Sequence, residues 1–188
     1  MGFIGNFFRK RRLKKYAGKT ETGFIPLSSA KDATVILDAE DRSFEKCRRD
    51  VEKFFAGYGI RTRFIYADFR KFTRDIRPVT DAAETVFRRD SWIFGLPKMK
   101  KVRPMIAGKT DILISFPTDR RFILEFIIKS IDARFKIGRV QLEGEPFDMT
   151  VVSEEDQTAQ RTKDAAQAEK IPQDKVFNTI RDFLPKIK

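Results

Sequence analysis

A strand, an amphipathic helix and a second strand follow one another within about 35 residues, and this order constrains the fold more than any other sequence feature. Residues 34–39 (TVILDA) are apolar and β-branched, as in a strand buried on both faces. Ser43 predicts a helix start, and apolar residues then recur at helical spacing from Phe44 to Phe55. Residues 60–69 alternate partly, as in a strand. This order is typical of the βαβ unit of a parallel sheet.

Later segments continue the pattern of strands and helices. Further strands are predicted over 91–94, 110–116, 136–142 and 147–152, and a short helix over 81–87 within the charged segment 70–90. Residues 122–131 are apolar almost all round, which predicts a buried helix capped by Thr118 or Asp119. Apolar residues from Val176 to Leu184 share one face and predict a closing amphipathic helix.

The chain has 188 residues, the size of one domain. We predict a three-layer α/β domain over residues 33–152, with a mainly parallel sheet and helices on both faces, of the flavodoxin- or Rossmann-like type. Residues 1–32 are predicted as a basic tail and a linker. Residues 153–188 are predicted as a polar linker, or an exposed helix, before the C-terminal helix. That helix fits this domain or a second copy equally well, so the sequence predicts no oligomeric state.

The chain contains no histidine and one cysteine, which excludes several chemistries. A single cysteine forms no internal disulfide, so disulfide-stapled secreted folds are excluded and a reducing compartment is indicated. Zinc sites made of Cys and His, and triads with a His base, are excluded as well. Cys47 lies on the apolar stripe of the first helix of the βαβ unit, which predicts a buried thiol rather than a nucleophile. We expect no metal and no cofactor.

The net charge of +12 is clustered along the chain. Residues 1–19 hold seven bases and no acid, and residues 61–139 hold nineteen bases and nine acids, whereas the remaining segments are mildly acidic. Such asymmetry favours a polyanionic partner over a purely solubilising role. The candidate polyanion-binding residues are Arg9, Lys10, Arg11, Arg12, Lys14, Lys15, Lys98, Lys100, Lys101 and Arg103.

The start of the chain predicts an apolar tip on a basic stem. If it is helical, Phe3, Ile4, Phe7 and Phe8 share one arc, while Leu13 and Tyr16 fall outside it. Gly2 and Gly5 each weaken a helix by about 1 kcal/mol relative to alanine, so we expect the apolar tip to be ordered only by a surface that it binds. An anionic bilayer and a groove of ribosomal RNA both fit this composition.

Aromatic residues stand beside basic ones in the central segment 92–103. Aromatic faces stack on bases while Lys and Arg neutralise phosphates, as a single-stranded RNA contact requires. Trp92 and Phe94 also fit the core of a strand, so the sequence leaves open whether this segment is core or surface. The leading expectation is a non-catalytic accessory protein that binds RNA or the ribosome, and the anionic inner membrane face is the alternative.

A rival class is an enzyme that uses the carboxylates after the first strand. Asp38, Glu40 and Asp41 follow that strand, where ligands bind in open parallel sheets, and carboxylates there could hold Mg²⁺ for phosphotransfer or hydrolysis. The Asp-x-Asp pattern of such phosphatases is missing, since Glu40 stands two residues after Asp38. No phosphate-binding glycine loop occurs either. We therefore favour turn and helix-capping roles for the three acids.

Several short segments occur in an order that resembles a known family. They are the basic Phe/Lys/Arg start, TVILDA, WIFGLPK, TDILISF, SIDARFKIG and FDMTVV, within residues 3–152. Together they resemble a family of small cytoplasmic proteins of unknown function associated with Bacteroidota. Its most distinctive part is carried by Ser130, Ala133, Phe135, Lys136 and Gly138. The resemblance implies a bacterial origin and an α/β domain, and it adds no catalytic residue.

The sequence also predicts where the protein resides. No apolar run reaches the roughly 18 residues of a membrane span. The first residues carry their basic cluster after the apolar ones, the reverse of a secretory signal. We therefore expect a cytoplasmic protein, with peripheral attachment to the inner membrane as the alternative.

Overall fold

A computed structural model describes residues 3–73, 77–151 and 171–187. Its strands are β1 (Asp32–Asp38), β2 (Arg61–Asp68), β3 (Thr85–Phe87), β4 (Lys109–Ser115), β5 (Asp132–Gly138) and β6 (Met149–Thr150). Its α-helices are α1 (Phe3–Tyr16), α2 (Phe44–Gly57), α3 (Met99–Ile106), α4 (Phe122–Ser130) and α5 (Gln173–Phe183). Most of the polar segment 153–171 lies outside the described residues.

The six strands form one parallel sheet in the order β3-β2-β1-β4-β5-β6. The predicted parallel sheet is therefore confirmed. This order places β1 and β4 side by side at the centre, as in Rossmann-like sheets, where the strand order reverses direction. At that point the loops after β1 and β4 leave toward opposite faces.

Helices cover both faces of the sheet, which confirms the predicted three layers. Alternate residues of β1 face opposite sides, as the two-residue period of a strand requires. Val35 and Leu37 lie in a first core with residues of α2 and α5. Ile36 lies in a second core with residues of α3 and α4. All three of these side chains are fully buried.

Helix α1 packs on α4. The structure therefore differs from the prediction of a tail whose apolar tip is ordered only by a surface that it binds. Leu13 and Tyr16 contact the second core, and the Tyr16 ring lies 5.8 Å from the Phe126 ring, edge to face. The backbone N–H of Gly18 then donates to the Lys129 carbonyl over 2.9 Å. The two residues that fall outside the apolar arc are thus the ones that anchor the helix. Because α4 is apolar almost all round, its outer side needs such a cover.

The segment after α1 also packs against the domain, although its turn formers predict a linker. Ile25 and Leu27 are buried in the first core. The Gly23 N–H donates to the Arg134 carbonyl over 2.8 Å, and the Asp132 carboxylate accepts from the Thr20 N–H. Backbone hydrogen bonds thus join this segment to β5, and its two buried apolar residues carry no periodicity from which the sequence could predict this.

Two central predictions are wrong. Residues 81–87 contain the strand β3 instead of a helix, because its three residues pair with the end of β2 and are buried there. Residues 91–94 form no sheet strand. Ser91 makes one isolated antiparallel bridge with Pro97, and Phe94 and Gly95 between them have φ angles of 62° and 72°. This left-handed turn reverses the chain before α3.

Candidate functional site

Positive charge is concentrated on the side of the sheet that α1, α3 and α4 cover. Helix α1 carries six bases and no acid, α3 carries three bases and no acid, and α4 carries one of each, which leaves an excess of nine. On the opposite side α2 carries four bases and three acids, and α5 two of each. We call the bases of α1 and α3, with Lys98, the basic face. The fold thus joins the two basic blocks that the sequence separates.

A contact between α1 and α3 brings the two blocks together. The Arg103 guanidinium lies near the Tyr16 hydroxyl and is the largest cause that lowers its pKa, and the positive charges of Lys15 and Arg12 act in the same direction. Lys10, Arg11, Lys14, Lys15 and Lys100 are exposed. These five bases remain available to a polyanion.

Other predicted binding residues also have roles within the fold. The Lys101 ammonium donates to the carbonyls of Ala82 and Ala83, and burial lowers its pKa. The Lys98 ammonium lies 5.2 Å from the centre of the Trp92 ring. Arg9 donates from Nε to the Phe94 carbonyl over 2.7 Å. These three bases position the segments that carry them.

An exposed apolar patch lies beside the basic face. It consists of Ile4, Phe7, Phe8, Trp92, Ile93 and Phe94, of which Ile93, Trp92 and Ile4 are 75%, 66% and 62% exposed. Six of the nine exposed large apolar side chains among the described residues belong to it. Patches of this kind mark interaction sites, whereas single exposed apolar residues need no explanation. The segment 91–94 is therefore surface rather than core.

The two segments of the patch are fixed to each other. Phe94 packs against Gly5, where an added Cβ would lie 3.1 Å from the ring atom Cδ1. Phe94 adopts the left-handed conformation, which costs a bulky residue about 1 to 3 kcal/mol and persists only where its surroundings hold it. Its carbonyl accepts the Arg9 hydrogen bond. The loop is thus held on α1 in a strained conformation that leaves Trp92 and Ile93 facing solvent.

A cleft of about 760 Å³ opens between α1, the loop 91–95 and the segment before α4. Its walls include Arg9, Arg88, Arg120 and Arg121, together with Asp119. Arg88 directly follows β3, and the other two loop arginines follow β4. The cleft therefore lies beyond the carboxyl ends of strands, where parallel sheets bind ligands. Sequence reasoning applied this rule to β1 and missed these arginines, because three distant parts of the chain meet here only in the fold.

The three carboxylates after β1 accept hydrogen bonds from backbone N–H groups around them. Asp38 accepts from the Glu40 N–H over 2.9 Å, and Glu40 accepts from the Phe69 N–H over 2.8 Å. Asp41 accepts from the N–H groups of Ser43 and Gln173, which joins the start of α2 to the start of α5. Across the described ranges no group of three or more Cys, Asp or Glu side chains could hold a metal ion. We therefore assign no reaction to these carboxylates.

Cys47 is fully buried on α2, as its place on the apolar stripe predicts. Burial is the largest cause that raises the pKa of its thiol well above the usual range, and the negative charges of Asp174 and Asp41 add to the shift. Because the thiolate is the nucleophilic form, this cysteine is unreactive at neutral pH.

Comparison with known proteins places the chain in a family. Residues 3–167 match the family model described as a family of unknown function, DUF6913. The chain belongs to DUF6913. The match to the DUF6913 model begins at the same residue as the motif resemblance and ends before α5, so the closing helix lies outside the matched range. No curated protein and no solved structure matches the chain.

The most distinctive motif of this DUF6913 chain lies in the segment 130–138. Its residues pack in the two cores of the domain. Phe135 and Ala133 are buried in the first and second cores. A Cβ at Gly138 would lie 2.4 Å from the Phe147 ring, so only glycine fits there without a shift. Lys136 is 6% exposed, and its ammonium donates to the Ile128 carbonyl over 3.2 Å. The motif therefore specifies packing between α4, β5 and the loop after it.

The buried Lys136 predicts a pH-dependent stability. Burial lowers its pKa below the ordinary value of 10.5, while the negative charges of Asp132 and Asp148 act in the opposite direction. Between the lowered pKa and 10.5 the unfolded chain binds more protons at this site, so its contribution to stability rises with pH. We expect the free energy of unfolding of the wild type to rise relative to that of Lys136→Met over this window. Urea unfolding of both proteins at several pH values tests this, and parallel pH profiles would contradict it.

Proposed function

We propose that this protein is a non-enzymatic binding protein that attaches to the surface of an anionic membrane. The observation that carries the proposal is the exposed apolar patch on the side of the molecule that also holds the basic face. In the described part of the chain no helix is long and apolar enough to cross a membrane. Attachment from one side is the mode that this surface supports.

The two parts of the surface suit the two parts of a membrane interface. Each Lys or Arg near an anionic leaflet contributes about 1 kcal/mol, and this attraction weakens with salt. Aromatic and aliphatic side chains gain further free energy when they enter the boundary between headgroups and acyl chains. Trp is enriched at that boundary, and Phe is common on the apolar face of helices that lie in it. Helix α1 supplies both kinds of residue, with Ile4, Phe7 and Phe8 in its first two turns and six bases after them.

The patch favours a membrane over RNA as the partner. Aromatic rings stack on unpaired bases, so Trp92 and Phe94 fit RNA. Ile4 and Ile93 have no flat face to stack, yet they are among the most exposed apolar side chains. A bilayer accepts all six residues of the patch, whereas RNA explains only the aromatic ones. RNA, the leading expectation from the sequence, becomes the alternative outcome of the test.

We expect Ile4→Ser with Ile93→Ser to weaken binding to anionic vesicles by about tenfold or more, since two apolar side chains no longer leave water. Co-sedimentation with phosphatidylcholine vesicles, with and without phosphatidylglycerol, measures this. The matched control replaces two exposed apolar residues outside the patch, Tyr58→Ser with Val79→Ser. It should bind like the wild type.

The same proteins are then mixed with ribosomal RNA across a salt series. Binding to anionic vesicles that the patch variant loses and the control keeps supports the proposal. Equal vesicle binding by both variants would overturn it. Salt-sensitive binding to RNA without any binding to vesicles would also overturn it and would name RNA as the partner.

A further inference from the structure

We propose that the cleft between α1, the loop 91–95 and the segment before α4, which we call the arginine cleft, is a binding site for a phosphomonoester or diphosphate group. The cleft goes beyond attachment by charge, because it is a concave site with a defined set of donors. Four guanidinium groups from three parts of the chain line it: Arg9 from α1, Arg88 after β3, and Arg120 and Arg121 before α4. The first turn of α4 forms another wall.

The positive charge of the cleft favours an anionic ligand. Asp119 is the acid among its lining residues, and its carboxylate is already paired with Arg121. The Arg121 Nε lies 2.9 Å from Oδ2, and the backbone nitrogen of Arg121 donates to Oδ1 over 2.7 Å. Within the described residues no carboxylate oxygen lies within 4.0 Å of the Arg88 or Arg120 guanidinium nitrogens. Both arginines are exposed. Like charges gathered in one cleft repel each other, so a bound dianion stabilises this arrangement.

Two of the four arginines are already held in place. Arg9 donates to the Phe94 carbonyl, and its guanidinium lies 4.8 Å from the centre of the Phe122 ring. Arg121 is held by Asp119, and its guanidinium lies 4.8 Å from the centre of the Phe69 ring. Side chains that are fixed before binding lose less conformational freedom when a ligand arrives. The exposed pair, Arg88 and Arg120, can then close on the ligand.

The shape and donors of the cleft indicate the class of ligand. Planar guanidinium groups bind phosphate oxygens in pairs, which suits a phosphate with several free oxygens. Trp92 and Phe94 belong both to the cleft wall and to the apolar patch. A phosphate in the cleft can therefore belong to a small soluble molecule or to the headgroup of a lipid whose chains meet the patch. Both sources share the phosphomonoester or diphosphate chemistry.

Isothermal titration of the full chain with pyrophosphate tests the site. We expect measurable binding that weakens by about tenfold or more in Arg88→Gln with Arg120→Gln, because two charge-assisted contacts are lost. The control, Arg49→Gln with Lys53→Gln, removes equal charge from the exposed surface of α2 on the other side of the sheet. It should bind pyrophosphate like the wild type. Absence of pyrophosphate binding by the wild type, or equal loss in both variants, would overturn the proposal.

A second arm distinguishes the two sources of the phosphate. Vesicles with phosphatidic acid carry a phosphomonoester headgroup, and vesicles with phosphatidylglycerol are matched to them in surface charge. A preference for phosphatidic acid that the Arg88 and Arg120 variant loses identifies a lipid headgroup. Pyrophosphate binding without that preference identifies a soluble ligand, and both results support the site. Ile4 and Ile93 do not line the cleft, so their variant tests membrane attachment separately.

Discussion

Replacement of Phe177 by alanine is expected to lower the free energy of unfolding by about 3 to 5 kcal/mol, the usual cost of removing a buried phenyl ring. Phe177 is fully buried on α5. Its ring lies 5.8 Å from the Phe54 ring and 6.3 Å from the Phe116 ring, so it joins α2 to the segment after β4. Alanine leaves a cavity between three elements that cannot all move inward.

The prediction tests whether α5 belongs to the domain, since it lies beyond the residues that match the family. Gln173 strengthens that expectation. It is fully buried, accepts from the Asp38 N–H and donates to the Asp38 carbonyl. Urea unfolding followed by circular dichroism gives the measurement. Thr179→Ala, at an exposed position of the same helix, is the control and should change stability by less than about 0.5 kcal/mol. A similar small effect of Phe177→Ala would show that α5 is not part of the core.

The second large effect is expected at the junction of α1 and α4. Leu13→Ala with Tyr16→Ala should lower the free energy of unfolding by about 3 kcal/mol, because both side chains are partly buried and cover apolar residues of α4. Tyr16 also loses its edge-to-face contact with the Phe126 ring. The variant should release α1 and with it the Phe94 contact on Gly5.

Lys14→Gln with Lys15→Gln is the matched control on the same helix. Both residues are exposed, so the stability should stay within about 0.5 kcal/mol of the wild type while vesicle binding weakens. Hydrogen exchange of the α1 amides provides the second measurement. Equally fast exchange of the α1 amides in the wild type and in the Leu13 and Tyr16 variant would show that α1 is a free tail. The bases of α1 and α3 would then not form one surface.

The central fold could be predicted because its signals are local. The strand at residues 34–39, the amphipathic stripe from Phe44 to Phe55 and the apolar helix at 122–131 each carry their own periodicity. Order along the chain then selects a parallel sheet. β3 carries no such signal, since it is three residues long and is defined by its pairing with β2.

The arrangement of α1 could not be predicted in the same way. Leu13 and Tyr16 fall outside the apolar arc of α1 when the helix is considered alone. They become the packing face only because α4 needs a cover on its outer side. The bases of α1 lie near Arg103 only because of that packing, which the sequence alone does not predict.

The surface features depend still more on tertiary structure. The sequence leaves open whether Trp92 and Phe94 lie in the core, and the left-handed turn at Phe94 and Gly95 is what turns the segment to the surface. The arginine cleft combines residues that are more than 100 positions apart, Arg9 and Arg120 among them. No spacing rule connects such residues before the fold is known.

The most direct test of membrane attachment uses the fluorescence of Trp92, the single tryptophan of the chain. Its side chain is 66% exposed in the apolar patch, so the free protein should emit at the long wavelength of a solvated indole. Addition of phosphatidylglycerol vesicles should shift the emission to shorter wavelength, and brominated acyl chains should quench it. Phosphatidylcholine vesicles should cause neither the wavelength shift nor the quenching. An emission spectrum that stays the same with every vesicle would contradict insertion of the patch and, with it, the proposed function.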